Sequence, residues 1–192
     1  ARIREESITM PNREKTVFIS YRREASRYAA RSIFMDLRAH GYDVFMDVES
    51  IDSGTFASVI LNQIEARAHF LLILAPGTLE RIHDENDWLR REIERAIELD
   101  RNIVPVLVNG FCFEDGLPYF TNSLAPLAGY NALTVPDGYF DSAMQKLRNR
   151  FLRRPVYAPV TDTPEEDRQI VQEKIEKAVD QSPKVTFRQK FS

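Results

Sequence analysis

The fold is decided by the stretch His69–Leu74, whose sequence is HFLLIL. A short, almost wholly apolar run of this kind is typical of a β-strand that is covered on both faces. Such strands occur in parallel sheets, where helices pack on each side. A second apolar run, IVPVLV, occupies residues 103–108. We therefore expect a parallel sheet with residues 69–74 as its central strand.

The segments around these two runs alternate between strand and helix patterns. The other predicted strands are residues 15–20, 42–46 and 130–135, and the predicted helices are residues 26–40, 56–66, 88–99 and 139–152. Gly41 follows the first predicted helix, where a left-handed cap is expected. Crossovers between parallel strands are right-handed, and consecutive elements pack as neighbours. The pattern predicts a flavodoxin-like, three-layer α/β fold with strand order 2-1-3-4-5 and a ligand site at the carboxyl ends of the strands.

Composition changes along the chain predict its domain organisation. We expect a polar leader at residues 1–14, a globular domain at 15–154, a proline-rich linker at 155–163 and a helical extension at 164–192. The chain opens at Ala1, and the extension could lead to a further domain. Thr163 is predicted to cap the extension helix, with Pro164 in its first turn and Glu166 three residues after the cap. The helix carries an apolar stripe that must pack on something, formed by Ile170, Val171, Ile175, Ala178 and Val179.

Charge and composition exclude several classes of partner. The chain has 26 Lys and Arg against 29 Asp and Glu, a net charge of −3, which does not favour nucleic acid as a partner. No apolar run is long enough to cross a membrane, so we expect a cytoplasmic protein without a membrane partner. Cys112 is the single cysteine, and the three histidines lie far apart in sequence. This distribution predicts neither a disulfide nor a bound metal.

The end of the first predicted strand is basic. Tyr21, Arg22 and Arg23 follow it directly, at the edge of the sheet where ligands bind. Guanidinium groups at this position suit a phosphate group, whereas a phosphoacceptor receiver domain needs acidic residues there to hold magnesium. The alternative interpretation is that both arginines only solvate a loop.

The second predicted strand leads into a polar loop at residues 47–55. Its acidic residues are Asp47, Glu49 and Asp52. They follow no metal-ligand pattern, and solvation of the loop explains them as well. Ser53 and Gly54 permit a turn, and Phe56 is either an exposed aromatic residue or a contact at the start of the next helix. The loop is therefore expected to be mobile.

One predicted helix pairs an indole with a carboxylate. Trp88 and Glu92 are four residues apart, so they lie side by side at the first turns of the helix, beside the expected cleft. The alternative is that Glu92 is a surface residue paired with Arg95 and that Trp88 belongs to the core. Spacing alone favours this alternative.

Five motifs together resemble a TIR domain over residues 15–152. They are FISYRR at 18–23, DVFMDVESIDSG at 43–54, LLILAPG at 71–77, DWLRREI at 87–93 and NIVPVLV at 102–108. They occur in the order and with the separations of the family, and they are especially similar to its NAD-cleaving branch, which has animal neuronal and bacterial members. The resemblance implies the flavodoxin-like fold and a loop after the second strand that mediates self-association.

The resemblance also implies roles for individual residues. The NAD-cleaving branch carries a W-x-x-x-E motif, which makes Glu92 the catalytic carboxylate and Trp88 an aromatic wall of the substrate site. Further residues fall on cleft or loop positions of the family: Tyr21, Arg22, Arg23, Asp47, Asp52 and Phe56. Ser53 and Gly54 fall in the assembly loop. Asp52 stands where neuronal members have the longer glutamate.

The function implied by the resemblance is that of an NAD⁺ nucleosidase. Its products would be nicotinamide and ADP-ribose or a cyclic ADP-ribose, made without a metal or cofactor. Such proteins work when copies assemble through TIR–TIR contacts, as cell-death, immune or antiphage effectors, and a sensor module could be fused or associated. The alternative is a non-catalytic TIR adaptor, which has no chemical need for Glu92. A nucleotide-sugar transferase is a more distant interpretation, because no acceptor pocket is evident.

Overall fold

A five-stranded, all-parallel sheet forms the centre of the protein. The computed structural model describes residues 13–49 and 56–181 of the 192-residue chain. The strands are β1 (Thr16–Ser20), β2 (Asp43–Met46), β3 (His69–Leu74), β4 (Asn102–Leu107) and β5 (Leu133–Thr134). Their order is β2-β1-β3-β4-β5, and each neighbouring pair is parallel. The predicted order is confirmed, with the strand HFLLIL at the centre.

Helices follow the strands as the sequence predicts. They are α1 (Arg23–Ala39), α2 (Ala57–Glu65), α3 (Trp88–Glu98), α4 (Phe113–Gly116), α5 (Phe140–Asn149) and α6 (Arg168–Asp180). Short 3₁₀ turns lie at Arg13–Lys15, Leu117–Tyr119, Asn122–Gly129, Phe151–Arg153 and Glu165–Asp167. Gly41, just after α1, has a φ of +83°, so the predicted left-handed end of this helix is confirmed.

Two separate apolar cores cover the two faces of the sheet. Val17 and Ile19 of β1 pack with buried residues of α1 and α5. Phe18, between them in sequence, points to the other face and packs with buried residues of α2 and α3. Its ring stacks between those of Phe45 and Phe70, with centroids 5.5 Å away in each case. Burying each of these rings contributes about 2 kcal/mol, so the strands are fixed as the middle of three layers.

The C-terminal helix α6 lies against the edge strand β2. Val171 joins the core on the α2 and α3 face, while Ala178 joins the core on the other face. The apolar stripe predicted for this helix therefore packs on the domain, except for Val179, which is exposed. The division of the chain into a domain, linker and extension stays a prediction.

The predicted cap of the extension helix is wrong. Thr163 does not cap it, because Pro164 is the residue at the cap position of the turn that leads into α6. The Thr163 hydroxyl accepts a hydrogen bond from the Gln63 side chain at 3.1 Å. The chain instead enters α6 through the 3₁₀ turn Glu165–Asp167, which begins after Pro164 without a side-chain cap. Farther back, the backbone N–H of Thr161 donates to the carbonyl of Glu65 at 3.1 Å. These contacts tie residues 161–163 to α2.

Within residues 13–49 and 56–181, no helix has both the length and the apolar character needed to cross a membrane.

Candidate active site

A cavity of about 510 Å³ opens where β1 and β2 end, beside the start of α3. This is the edge of the sheet at which the sequence predicts a ligand site. Six of the predicted site residues line the cavity: Tyr21, Arg22, Arg23, Asp47, Trp88 and Glu92. Phe56 is half-buried at the start of α2 and is not among the lining residues. The predictions for Asp52, Ser53 and Gly54 lie outside the described residues.

The start of α3 places the indole and the carboxylate in the cavity. Asp87 caps the helix, because its side chain accepts a hydrogen bond from the backbone N–H of Arg90 at 3.2 Å. Trp88 then occupies the first turn and Glu92 the second, and both residues line the cavity. The indole Nε1 of Trp88 is buried and has no hydrogen-bond partner in the part of the chain that the structure describes. An aromatic side chain and a carboxyl group therefore line the same cavity.

Glu92 is a buried acid, only 5% exposed. Burial raises the pKa of Glu92 well above its ordinary value, and the negative charge of Asp47 raises it further. The nearby Ser20 hydroxyl and the charge of Arg22 act in the opposite direction. The alternative that Glu92 pairs with Arg95 is wrong, because Arg95 bonds to Glu98 at 2.9 Å and to Glu65 at 3.2 Å.

Asp47 closes the opposite wall of the cavity at the end of β2. One of its oxygens, Oδ1, accepts a hydrogen bond from Lys174 of α6 at 3.1 Å, while Oδ2 is buried without a partner among the described residues. The pKa of Asp47 is raised by burial, and the charge of Lys174 opposes this effect. The hydroxyl of Tyr21 donates to the backbone carbonyl of Asp47 at 2.7 Å. Burial also raises the pKa of Tyr21, so this phenol stays neutral.

The two arginines after β1 have different roles. Arg22 forms a bidentate, buried ion pair with Asp87, with N–O distances of 2.9 and 2.8 Å. Its Nε also donates to the carbonyl of Thr78 at 2.7 Å. Arg23 is exposed and forms no ion pair with a described residue. Arg22 therefore ties β1 to the start of α3, whereas Arg23 is a cation that can turn toward an anionic ligand.

Three residues of this site were not predicted from the sequence. Ser20 ends β1 with a buried hydroxyl close to Glu92, where it lowers the pKa of that carboxyl group. Asp87 caps α3, and its place immediately before the helix is a signal that could have identified it. Lys174 comes from the extension helix, where a lysine on the apolar side of the helix is the only hint in the sequence.

The described residues contain no group of three or more His, Cys, Asp or Glu side chains that could hold a metal ion.

Comparison with known proteins adds to this geometry. Residues 17–148 match the model of the TIR domain family. The chain is 36% identical over 146 residues to the NAD(+) hydrolase tir-1 of Caenorhabditis elegans, covering 73% of this chain and 15% of that protein. It is 35% identical over 140 residues to the NAD(+) hydrolase sarm1 of Drosophila melanogaster, covering 71% of this chain and 10% of that protein. The chain thus spans at most 15% of the length of these two relatives.

A solved structure has the same fold at low sequence identity. It is a metazoan TIR-STING receptor from C. gigas in complex with 2′,3′-cGAMP, with a TM-score of 0.51 and 20% identity. The match covers 75% of this chain and 41% of that chain.

Proposed function

Because the chain belongs to the TIR domain family, we propose that its cavity is the active site of an NAD⁺ nucleosidase. The reaction breaks the bond between nicotinamide and ribose and gives nicotinamide and ADP-ribose. The observation that carries the proposal is the buried carboxyl group of Glu92, one helical turn from Trp88 in a cavity at the carboxyl ends of the strands. The names of the two relatives, both NAD(+) hydrolases, support the choice of substrate.

One carboxylate is enough for this chemistry. Most glycosidases need a second carboxyl group to protonate an alkoxide leaving group. Nicotinamide leaves NAD⁺ as a neutral molecule because its ring is already cationic, so no general acid is required. Glu92 can bond to the ribose hydroxyls and stabilise the positive charge that develops on the sugar in the transition state. No metal or cofactor takes part.

The other lining residues fit the remaining parts of the substrate. Trp88 can stack on the pyridinium ring, a cation–π contact worth about 1 kcal/mol. Arg23 can contact the pyrophosphate, since Arg22 is occupied by Asp87. The ribosyl cation can be captured by water or by the adenine of the substrate itself. Capture by water gives ADP-ribose, and capture by the adenine gives a cyclic ADP-ribose.

Self-association completes the proposal. We propose that the active form assembles through TIR–TIR contacts involving residues 47–55, in the cytoplasm, as a cell-death or immune effector. A fused or associated sensor module would promote this assembly. Turnover per chain should therefore rise with protein concentration or on a scaffold, and Gly54→Pro, which stiffens the loop, should reduce both assembly and turnover.

The test compares two glutamates on the same helix. Glu92→Gln should lower nicotinamide release from NAD⁺, followed by chromatography, by about 100-fold or more, because it removes the charge that stabilises the transition state. Glu94→Gln is the matched control, since Glu94 pairs with Arg90 at 2.6 Å and does not line the cavity. It should retain turnover within about twofold. Two results would contradict the proposal: equal turnover in Glu92→Gln and the native chain, or no turnover in the concentrated native chain. Either result would favour a non-catalytic TIR adaptor.

A further inference from the structure

Lys174 of α6 reaches from the C-terminal extension to the wall of the cavity. Its ammonium nitrogen lies 3.1 Å from Oδ1 of Asp47 and 3.0 Å from Oε2 of Glu49. The residue is only 4% exposed. It also lies outside residues 17–148, the part of the chain that the family model matches. Its position therefore comes from the extension and not from the shared domain.

A buried lysine is costly, so its presence requires an explanation. Removing an ammonium group from water is unfavourable, and only ion pairs or hydrogen bonds offset that cost. Lys174 lies on the same buried side of α6 as Val171 and Ala178, where an apolar residue would pack at lower cost. Packing of the helix therefore does not explain the lysine. The two carboxylates that it meets do.

The contacts of Lys174 lie on both sides of the segment at residues 50–55. Glu49 immediately precedes this segment, and Phe56 immediately follows it. The ammonium nitrogen lies 5.1 Å from the centroid of the Phe56 ring, at the distance of a cation–π contact. One charged group thus joins the last described residue before the segment to the first described residue after it.

The same lysine also acts on Asp47, which faces the acid proposed for catalysis. The backbone N–H of Glu49 donates to Oδ1 of Asp47 at 3.2 Å, so Lys174 and this N–H hold one oxygen together. The carbonyl of Asp47 accepts the hydroxyl of Tyr21. The charge of Asp47 acts directly on Glu92. A shift of Lys174 would therefore change the position of Asp47 and the charge balance of the cavity together.

We propose that Lys174 is a positioning residue for the cavity: it fastens both ends of segment 50–55 and holds Asp47 at the cavity wall. Its effect on turnover rests on the proposed nucleosidase function, whereas the fastening of the segment does not. The extension helix is thereby part of the site, although it lies far from β2 in sequence.

The first experiment compares Lys174→Met with Lys177→Met in the full chain. Lys177 is one turn away on α6 and bonds to the same Glu49 at 2.6 Å, but its side chain is half-exposed. The ion pair with Asp47 and the cation–π contact with Phe56 belong to Lys174. Lys174→Met should lower kcat for nicotinamide release by about tenfold or more with little change in KM, because the lysine positions groups without touching substrate. Lys177→Met should stay within about twofold on both parameters.

A third variant separates positioning from simple loss of stability. Val171→Ala weakens the packing of α6 without removing a charge. If Lys174 were only structural, kcat in Lys174→Met and Val171→Ala would fall in proportion to the free energy of unfolding that each variant loses. For the same loss of unfolding free energy, we expect a much larger fall in kcat in Lys174→Met than in Val171→Ala. A proportional fall, an unchanged kcat or a raised kcat would each overturn the proposal.

Hydrogen exchange tests the fastening without reference to activity. Peptides covering residues 43–49 and 56–62 should exchange faster in Lys174→Met than in the native chain and at the native rate in Lys177→Met. If native chain releases no nicotinamide but exchange rises in Lys174→Met, the proposed function is wrong and the fastening of the segment is supported. If exchange in these peptides is unchanged, the fastening is wrong whatever the turnover.

Discussion

Glu92 lies in a protein environment that favours its neutral form. Burial and the charge of Asp47 both raise the pKa of this carboxyl group, and only Ser20 and Arg22 oppose them among its main influences. The proposed chemistry, in contrast, needs the carboxylate. The pyridinium ring of NAD⁺ would supply the missing positive charge when it binds. The acid is therefore matched to a cationic substrate better than to a neutral one.

This environment predicts the acid side of the pH profile. A raised pKa means that Glu92 takes up its proton at a higher pH than an exposed glutamate, whose pKa is about 4.3. The value of kcat/KM, which reports the free protein, should therefore fall with decreasing pH at a midpoint clearly above that value. Asp47→Asn removes a negative charge and should shift the midpoint to lower pH. Asp84→Asn, at another residue lining the cavity, should leave it in place, and equal midpoints in all three proteins would contradict the prediction.

At the scale of elements, His69 connects the start of β3 to two neighbouring segments. Its Nε2 lies 2.7 Å from the carbonyl oxygen of Glu14, and its Nδ1 lies 2.9 Å from Nδ2 of Asn102 in β4. The carbonyl needs a donor and the amide NH₂ needs an acceptor, so the arrangement requires a neutral ring with its proton on Nε2. Burial also lowers the pKa of His69. Protonation of the ring would place an N–H at Nδ1 against the NH₂ group of Asn102, so that two donors would face each other.

The requirement for a neutral ring predicts how stability depends on pH. The unfolded chain, in which the pKa of histidine is about 6.5, takes up the proton at a higher pH than the folded chain. The contribution of His69 is therefore fully present above that pH and is lost as the pH falls below it. His69→Gln keeps one polar contact but has no titrating ring. In urea titrations its unfolding free energy should fall less between about pH 7 and about pH 5 than that of the native chain. Near pH 8 the difference in unfolding free energy between the two proteins should no longer depend on pH. If unfolding free energy falls equally steeply in both proteins between pH 7 and 5, the assignment of a neutral His69 is wrong.

The strands could be predicted from short-range patterns, because a run such as HFLLIL is visible within a few residues of sequence. The i, i+4 interval places Trp88 and Glu92 side by side, but spacing alone favoured an ordinary surface glutamate, and their roles in a site came from the resemblance to the TIR family. Pairs such as Arg22 with Asp87 and Lys174 with Asp47 were not predicted, because they join residues 65 and 127 positions apart. Such contacts depend on how complete helices and strands pack against one another. The hydrogen bond from Gln63 to Thr163 is another contact between residues that are distant in sequence.

At the scale of the whole molecule, α6 packs on the domain through a few buried residues. The same valine-to-aspartate substitution should therefore have different effects at a buried and at an exposed position of this helix. Val171 is 7% exposed and Val179, on the same helix, is 41% exposed. Val171→Asp should lower the free energy of unfolding by about 2–4 kcal/mol or release α6 alone, because it buries an unpaired charge. Val179→Asp should change it by less than about 0.5 kcal/mol.

Urea titration with hydrogen exchange of residues 168–180 would measure both effects. Loss of exchange protection in α6 alone would show local release of the helix, and loss throughout the described domain would show global destabilisation. Equal behaviour of the two variants would contradict the docking of α6 through Val171.

Both margins of the sheet offer little unpaired backbone. The outer strand on one side, β5, has only two residues, and β2 on the other side has four and is flanked by α6. An exposed margin is what an amyloid-like fibre needs in order to recruit the next chain. Ordered arrays of this protein would therefore be held together by contacts between the outer surfaces of intact folded units, and they could disassemble without any strand having to be pulled out of its ladder.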